Sequence, residues 1–298
     1  TSTIQLTVHG PLMNKLQTCY AISQDGTTAY MEMASASGLT LVSIKDRNPL
    51  ITTTYGVGEM VADAIKRGCQ HIVMGIGGSA TCDGGIGMIK ALEENDCLSS
   101  SCRITVACDV TNPLYGPNGA AYVFAPQKGA TPEQVIELDN RLKQFAHDTE
   151  NKGLASKEMV FYPGAGAAGG LGYALLTYLK AELKSGIDIV LDISNFDKAL
   201  TESDLVITGE GKSDHQTMMG KVPSGVLHLC KKRQTPVWLM SGSIDDTQGN
   251  LSRNFDLVKS INENDNRSLE ILMQKEVALA NLSRCIQKYL QIIFPSKR

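Results

Sequence analysis

The sequence has no long apolar run and no concentration of positive charge, and each absence argues against a class of partner. A helix that crosses a membrane needs roughly 18 or more consecutive apolar residues, and no stretch approaches that length. Lysine and arginine number 28 against 31 aspartates and glutamates, so the net charge is −3. The basic residues are scattered, whereas a nucleic-acid groove needs a basic stripe. We therefore expect neither a membrane nor a nucleic acid as partner.

The sequence also lacks the cysteine and histidine spacings that metal sites and disulfides need. Its five histidines form no metal pair and no evident catalytic triad. Cys97 and Cys102 flank a short serine-containing stretch, but no second pair exists to complete a zinc site. We expect free, buried thiols in a reducing compartment, the cytoplasm. The expectation of burial rests on Cys19, Cys69, Cys108, Cys230 and Cys285, which stand in apolar or strand-like contexts.

Two widespread catalytic motifs are missing as well. No Gly-x-Ser-x-Gly elbow is present, which argues against the serine nucleophile of an α/β-hydrolase. The stretch "GKSDHQTMMGK" ends in Gly-Lys, but its spacing is wrong for a phosphate-binding P-loop. Val222 also occupies the position where that loop needs Ser or Thr. A kinase of the P-loop type is therefore disfavoured.

What the sequence does contain is an alternation of apolar strand patterns with amphipathic helix patterns. This alternation predicts an α/β fold with parallel strands. The predicted strands cover 3–10, 19–26, 27–38, 71–76, 103–110, 158–162, 188–193, 203–211 and 235–244. The predicted helices cover 56–70, 83–95, 131–151, 220–234 and 267–294, and one more follows the glycine turn within 164–183. The helix at 131–151 has the clearest start, because Thr131 can cap it and Pro132 suits its first position.

Four glycine-rich turns follow apolar segments, at 75–85, 109–119, 164–172 and 209–220. One such turn would be an ordinary packing turn. Ligands of parallel sheets bind beyond the carboxyl ends of the strands. Four such turns in one chain therefore indicate a broad binding cleft lined by backbone N–H groups. Backbone N–H groups at helix starts favour anions, so we expect phosphate to bind there.

The segment 206–223 has the densest set of polar side chains, and phosphoryl transfer could use them. Such chemistry needs a cation to bridge phosphates, carboxylates to hold Mg²⁺, and an acidic group near the acceptor hydroxyl. Lys221 could supply the cation, and Glu210 or Asp214 the carboxylates. Asn112, in another turn, could bind a substrate hydroxyl. The alternative interpretation is a solvated polar loop.

The stretch "GAGAAGG" offers a competing function. Gly164, Gly166 and Gly169 match the dinucleotide-binding fingerprint, with Asp188 a little over twenty residues further on. However, Asp188 would begin a predicted strand, whereas a ribose-binding acid ends one. An NAD(P)-dependent oxidoreductase therefore remains the alternative function, and a helix start that offers N–H groups to a carboxylate or phosphate is the other interpretation of this stretch.

Five stretches, in order, give the chain a family resemblance. They are "ITTTYGVGE", "GIGGSATCDGGIGM", "ACDVTNPLYGPNGAAYVFAPQKGAT", "PGAGAAGGLGYALL" and "DLVITGEGKSDHQTMMGKVPSGV". Together they resemble the bacterial type I glycerate kinase family. The resemblance implies ATP-dependent phosphorylation of D-glycerate with Mg²⁺, usually at the 2-hydroxyl to give 2-phosphoglycerate. It also implies a flavodoxin-like, doubly wound parallel domain interrupted by a second α/β domain that resembles restriction endonucleases.

The resemblance assigns 1–199 mainly to the inserted second domain and 200–298 to the C-terminal part of the flavodoxin-like domain. Carried over by motif, the residues for substrate or phosphate binding are Gly77, Gly78, Ser79, Thr81, Asp83, Asn112, Gly164, Gly166, Gly209, Gln216 and Thr217. The expected catalytic residues are Asp214, Glu210 and Lys221, and the expected metal ligands are Asp109 and Glu210. Our hypothesis is that Asp214 receives the proton of the glycerate hydroxyl.

The chain departs from the family pattern in two informative places. The family's opening strand, with its "APDSFKGS"-like and "ADGGEGT"-like turns, is absent, so we expect the flavodoxin-like domain to lack its first strand. An open sheet edge would follow, and the outcome would be impaired activity, a homodimer that covers the gap, or a non-catalytic remnant. Cys82 also stands where the family usually has Asn.

Overall fold

The structure is a computed structural model that describes residues 1–293, with side chains to residue 291. The chain divides into two compact units, Thr1–Gly186 (unit 1) and Ile187–Arg298 (unit 2). Both units are mixed α/β structures with parallel strands, so the predicted fold class is confirmed at that level. The family domain boundary near residue 199, the flavodoxin-like assignment and the likeness to restriction endonucleases stay predictions.

Unit 1 is built on one six-stranded sheet whose strands follow in chain order. The strands are β1 (Ser2–His9), β2 (Lys15–Ile22), β3 (Thr28–Glu32), β4 (His71–Gly75), β5 (Arg103–Ala107) and β6 (Glu182–Lys184). β1, β2 and β3 pair antiparallel, whereas β3 to β6 pair parallel. The register places Glu32, Gly75, Ala107 and Lys184 side by side at the carboxyl edge. The loops that leave this edge are therefore neighbours.

Helices connect and cover the strands of unit 1. They are α1 (Ala34–Ser37), α2 (Tyr55–Lys66), α3 (Ile86–Glu94), α4 (Ala120–Phe124), α5 (Pro132–Asn151) and α6 (Ala167–Tyr178). Ile72 and Met74 of β4, Val106 of β5 and Met60 of α2 are fully buried in a single apolar cluster. The core thus holds β4 and β5 rigidly just before the loops that follow them.

Unit 2 has a three-stranded parallel sheet with the order β11–β9–β7 and a two-residue parallel pair, β8 with β10. These strands are β7 (Val206–Thr208), β8 (Lys212–Ser213), β9 (Val237–Ser241), β10 (Ser243–Ile244) and β11 (Leu257–Ser260). The helices are α7 (Gly186–Ile193), α8 (Phe196–Thr201), α9 (Val222–Arg233), α10 (Asn250–Asn254), α11 (Leu269–Leu272) and α12 (Lys275–Ile293). No helix in residues 1–293 combines the length and apolarity that crossing a membrane requires.

Two predicted strands are wrong, and the strand predicted for 27–38 ends at Glu32 and is followed by helix α1. Residues 158–162 lie mostly in a 3₁₀ helix, Lys157–Phe161, whose backbone bonds are local, such as Met159 N–H to the Ser156 carbonyl. Residues 188–193 belong to helix α7. The prediction failed there because a short apolar run in the sequence does not distinguish a buried helix from a strand. The predicted C-terminal helix divides into α11 and α12, and its last predicted residue, Phe294, lies outside the described residues.

The cysteines are all free, as expected, but their burial varies. Cys69 and Cys230 are buried, whereas Cys108 and Cys285 are only partly buried. The expectation that Cys19 is buried is wrong. In β2 the side chains alternate between faces, and Cys19 lies on the face opposite to the buried Tyr20.

The start of α5 follows from its sequence. The Thr131 hydroxyl accepts a hydrogen bond from the Gln134 N–H (3.3 Å), and the Gln134 side chain accepts one from the Thr131 N–H (2.9 Å). Pro132 occupies the first helical position, where no N–H is needed. This reciprocal capping box confirms the predicted helix start.

Thr131→Ala should therefore lower the free energy of unfolding by about 1 kcal/mol, because the Gln134 N–H loses its side-chain acceptor. Urea unfolding followed by circular dichroism measures the change. Thr131→Ser keeps the acceptor oxygen and serves as the control, with an unfolding midpoint close to that of the unmodified chain. Equal midpoints for all three proteins would contradict the assigned cap.

Candidate functional site

A cavity of about 560 Å³ lies at the carboxyl edge of the unit 1 sheet. It is lined by residues from three of the four glycine turns singled out in the sequence, together with the segment before α5. The lining includes Gly75, Ile76, Gly77, Gly78, Ser79, Ala107, Cys108, Asp109, Val110, Gln127, Lys128, Ala167 and Ala168. The parallel register explains this meeting, because β4 and β5 end side by side.

The turn after β4 exposes bare backbone to the cavity. A Cβ added at Gly77 would meet no atom within 4 Å, and one at Gly78 would meet only the Ala34 Cβ at 3.8 Å. Packing within the protein therefore does not require these two positions to lack side chains, although Gly78 also needs its φ of +72°. Within the described residues, the N–H groups of Gly77 and Gly78 have no hydrogen-bond partner.

Lys128 contributes a buried amino group to the same cavity. Its Nζ donates to the Ser79 hydroxyl (2.6 Å) and to the Thr81 carbonyl (2.7 Å), both neutral oxygens. The side chain is only 2% exposed, and in the described part of the chain it forms no ion pair with a carboxylate. Burial lowers its pKa to about 8, while Cys82 and Asp83 act weakly in the opposite direction.

Sequence reasoning missed Lys128. The residue lies in the stretch "FAPQKGAT", in a polar and turn-rich context that favours solvent exposure. Pro126 and Gly129 bracket it, and Gly129 adopts φ +95°, so the chain turns sharply directly after the lysine. The available signals were this pair of turn-forming residues and the position of Lys128 within a family stretch, but neither shows that the side chain is buried.

Asp109 and Asn112, both in the turn after β5, differ in their relation to the cavity. Asp109 lines it, is exposed, and accepts a hydrogen bond at Oδ1 from the Gly186 N–H (2.8 Å). Asn112 does not line it, and its amide nitrogen donates to the Asn118 carbonyl (2.9 Å) within its own loop. The role predicted for Asn112 in binding a substrate hydroxyl stays a prediction.

Asp83, predicted to begin a helix at 83–95, lies before helix α3 instead. Helix α3 begins at Ile86, and the Asp83 carboxylate accepts from the backbone N–H groups of Gly85 (3.1 Å) and Gly87 (3.2 Å). It also accepts from the N–H and hydroxyl of Thr54, each at 2.8 Å. These bonds connect the start of α2 to the start of α3, so the Asp83 carboxylate stabilises the packing of the two helix starts.

The glycines of "GAGAAGG" pack against other backbone segments. A Cβ at Gly166 would lie 2.2 Å from the Pro113 carbonyl oxygen, and one at Gly169 would lie 2.1 Å from the Thr81 carbonyl oxygen. A Cβ at Gly164 would approach the Cys108 Sγ within 2.8 Å. The chain also leaves helical geometry at 168–170, where φ is 52°, 70° and 91°. These glycines permit close packing, and the dinucleotide fingerprint needs an exposed helix start instead.

In unit 2, hydroxyl groups surround the carboxylate of Glu210. Its Oε1 accepts from the Thr217 hydroxyl (2.5 Å) and the Ser213 hydroxyl (3.1 Å). Ser213 also bonds to the Ser241 hydroxyl (2.6 Å), and all three hydroxyl-bearing residues are buried. The Lys221 Nζ lies 3.9 Å from Glu210 Oε2. The segment 206–223 is thus an ordered cluster rather than a loose polar loop.

The neighbouring Asp214 caps a short 3₁₀ helix, His215–Met218. Its Oδ1 accepts from the Gln216 N–H (2.9 Å), and its own N–H donates to the Thr217 hydroxyl (2.9 Å). Gln216 itself is exposed. Gly209 has a packing role, since a Cβ there would lie 1.9 Å from the Met240 carbonyl oxygen.

The fit of a magnesium ion can be judged from the carboxylates. Within residues 1–293, no three His, Cys, Asp or Glu side chains gather into a metal site. Nucleotide-bound Mg²⁺ usually needs only one or two protein carboxylates, since phosphates and water complete its shell. Asp109 fits this requirement because it is exposed at the cavity. Glu210 fits less well, because its Oε1 is already bonded to two hydroxyls and Lys221 lies near its Oε2.

Comparisons with known proteins agree over most of the chain. A model of the glycerate kinase family matches residues 1–95 and 93–291. A glycerate 2-kinase of Escherichia coli (strain K12) is 45% identical over 269 residues, which cover 81% of this chain and 70% of that protein. A glycerate kinase of Haemophilus influenzae is 39% identical over 320 residues, covering 98% of this chain and 84% of that protein. A crystal structure assigned to a glycerate kinase 2 of Salmonella typhimurium LT2 matches with a TM-score of 0.79 and 37% identity, covering 97% of this chain and 84% of that one.

A glycine beside open space and a glycine packed against backbone should respond differently to one added methyl group. Gly169→Ala should lower the free energy of unfolding by at least about 2 kcal/mol, because alanine is strained at this φ and its Cβ meets a backbone oxygen. Gly77→Ala, the matched control in open space, should change it by less than about 0.5 kcal/mol. Denaturant titration of both variants makes the comparison. A large loss for Gly77→Ala would show that packing, not ligand access, requires that glycine.

Proposed function

The chain belongs to the glycerate kinase family, and we propose that it transfers a phosphoryl group from ATP to D-glycerate. We assign the transfer to the 2-hydroxyl, with 2-phosphoglycerate as product, by analogy with the relative that is named a glycerate 2-kinase. The observation that carries the proposal is the donor-lined cavity of unit 1. Gly77 and Gly78 line it with unpaired backbone N–H groups, and Lys128, which donates to the Ser79 hydroxyl, lines the same cavity. Such a surface suits the anionic oxygens of both substrates.

The N–H groups of Gly77 and Gly78, with the hydroxyl of Ser79, are our candidates for binding phosphate oxygens. Phosphoryl transfer asks for little covalent chemistry from the protein, so positioning and charge stabilisation supply most of the rate enhancement. Bare backbone lets a phosphate approach N–H donors without steric hindrance. The core residues of β4 hold this turn in place, which keeps the donors ordered before the substrate arrives.

In unit 2, we assign proton acceptance to Asp214 and charge stabilisation to Lys221. When the 2-hydroxyl oxygen of glycerate attacks the γ-phosphorus, the O–P bond to ADP breaks and the hydroxyl proton must leave. The Asp214 carboxylate is held at Oδ1 by the Gln216 N–H, so it is oriented to take that proton. Glu210 and Thr217 keep the surrounding loop ordered through their short hydrogen bond.

A magnesium ion would neutralise charge that develops on the phosphate oxygens. Asp109 of unit 1 is the carboxylate that best fits such an ion, and Glu210 of unit 2 is the second candidate. The observation behind this ranking is that Asp109 is exposed at the cavity, whereas Glu210 is engaged by hydroxyls.

An NAD(P)-dependent oxidoreductase is not favoured. The glycines that match the fingerprint contact the Pro113 and Thr81 carbonyls and Cys108, so a pyrophosphate has no room against them. Asp188, expected at a strand start, instead lies in the first turn of α7. A thermal shift with ATP and Mg²⁺, and none with NADH, would agree with the kinase proposal.

The central test is ATP consumption that depends on D-glycerate. With Mg²⁺ present, we expect ADP to form only when D-glycerate is added, and phosphorus NMR to identify 2-phosphoglycerate as the product. Omitting glycerate and replacing it with L-lactate are the controls. The proposal fails if ADP formation is independent of glycerate or absent.

Asp214→Asn tests the proton acceptor. Asparagine caps a helix start as well as aspartate does, so the unfolding midpoint should stay unchanged. The kcat should fall by roughly 100-fold or more, since positioned general bases contribute about that much, while the KM for glycerate should change little. Asp204→Asn, at an exposed position, is the matched control and should keep full activity. A kcat within a few-fold of the unmodified chain would remove Asp214 from this role.

A further inference from the structure

Lys128 is a buried lysine that forms no ion pair with a carboxylate in the described part of the chain. A buried ammonium ion ordinarily has an acidic partner, because leaving a buried charge uncompensated is costly. Lys128 instead donates to two neutral oxygens, the Ser79 hydroxyl and the Thr81 carbonyl. The structure therefore keeps a cation at the cavity without the anion that would balance it.

The hydrogen-bond donors near Lys128 outnumber their acceptors. An ammonium group has three N–H bonds, and two of them are accounted for. The Ser79 oxygen accepts from Lys128, and within the described part of the chain its own proton has no acceptor. The N–H groups of Gly77 and Gly78 are also unpaired. All four residues line the same cavity, so four unsatisfied donors share it.

We propose that Lys128, positioned by Ser79 and the Thr81 carbonyl, binds a negatively charged oxygen group of a substrate in this cavity. The group is either the carboxylate of the hydroxy acid or a phosphate of the nucleotide, since both present the same chemistry. This inference rests on the proposed function and adds Lys128, which lies in one of the family stretches but was not among the expected site residues. A buried, charge-assisted hydrogen bond to such a group is stronger than an exposed one, so Lys128 would account for a large share of the affinity.

The protonation of Lys128 gives the proposal a measurable signature. Burial lowers the pKa of Lys128 to about 8. A bound anion favours the charged form and raises this pKa, so binding is strong below pH 8 and weakens as the pH rises above it. The other groups nearby are Cys82, Asp83 and Asp109. Burial raises the pKa of Cys82 to about 11, so its thiol stays neutral between pH 7 and 9.

Calorimetric titration of the chain with D-glycerate alone and with ATP alone tests this signature and identifies the source of the anion. The ligand that reaches Lys128 should bind about tenfold more weakly at pH 9 than at pH 7. At pH 8, its binding should be accompanied by the uptake of about half a proton by Lys128. Titrations in two buffers with different ionisation enthalpies measure the proton uptake. If neither ligand shows this pH dependence, the proposal is overturned without any variant.

Lys128→Met and Ser79→Ala identify the group responsible. We expect Lys128→Met to weaken the responsive ligand at least tenfold at pH 7 and to remove the pH dependence, and Ser79→Ala to weaken it less. Lys45→Met, at an exposed lysine, is the matched control. Circular dichroism checks that each variant folds. If Lys128→Met does not fold, the pH series on the unmodified chain tests the proposal by itself. Unchanged binding by folded Lys128→Met would overturn the proposal.

These outcomes separate the inference from the proposed function. If a ligand binds with the expected pH dependence but ATP consumption does not depend on glycerate, the kinase proposal is refuted and the anion site stands. Normal turnover together with unchanged substrate binding in Lys128→Met would leave the kinase proposal intact and refute the role of Lys128.

Discussion

The hydrogen bonds from Lys128 to Ser79 and Thr81 are the constraint on which the unit 1 site depends. They connect the segment before α5 to the turn after β4, two regions 49 residues apart in the chain. Lys128 donates hydrogen bonds to the Ser79 hydroxyl and the Thr81 carbonyl, which hold the turn in place. The N–H groups of Gly77 and Gly78 in the same turn are unpaired within the described residues. The same lysine therefore fixes the backbone and supplies the positive charge of the cavity.

Glycine has two different tasks around this cavity, and the sequence does not distinguish them. Gly77 is bare although nothing in the protein fills the space beside it, whereas Gly166 and Gly169 are bare because another backbone occupies that space. Both kinds stand in glycine-rich turns that follow apolar segments. Only the three-dimensional packing shows that the first kind leaves room for a ligand and the second kind lets turns approach closely. This distinction also accounts for the misleading dinucleotide fingerprint.

Local signals in the sequence predicted much of the fold. The strands of unit 1 from β1 to β5, the start of α5 and the meeting of glycine turns at one sheet edge follow from periodicity, capping residues and strand order. The errors fall where local pattern is ambiguous: residues 188–193 are apolar but helical, and Cys19 lies on the outer face of its strand. Lys128 was missed for a related reason, because burial of a loop lysine depends on segments distant in sequence.

The two units differ in how each one satisfies its polar atoms. In unit 1 the donors exceed the acceptors, so the cavity attracts negatively charged oxygen. In unit 2 the Glu210 carboxylate is surrounded by hydroxyl donors, and Asp214 is oriented by a backbone N–H. Such hydrogen-bonded networks resist rearrangement, which keeps Glu210 and Asp214 ordered in the segment 206–223. Phosphoryl transfer to a hydroxyl needs anion recognition, which we propose for the unit 1 cavity, and a proton acceptor, which we propose for Asp214.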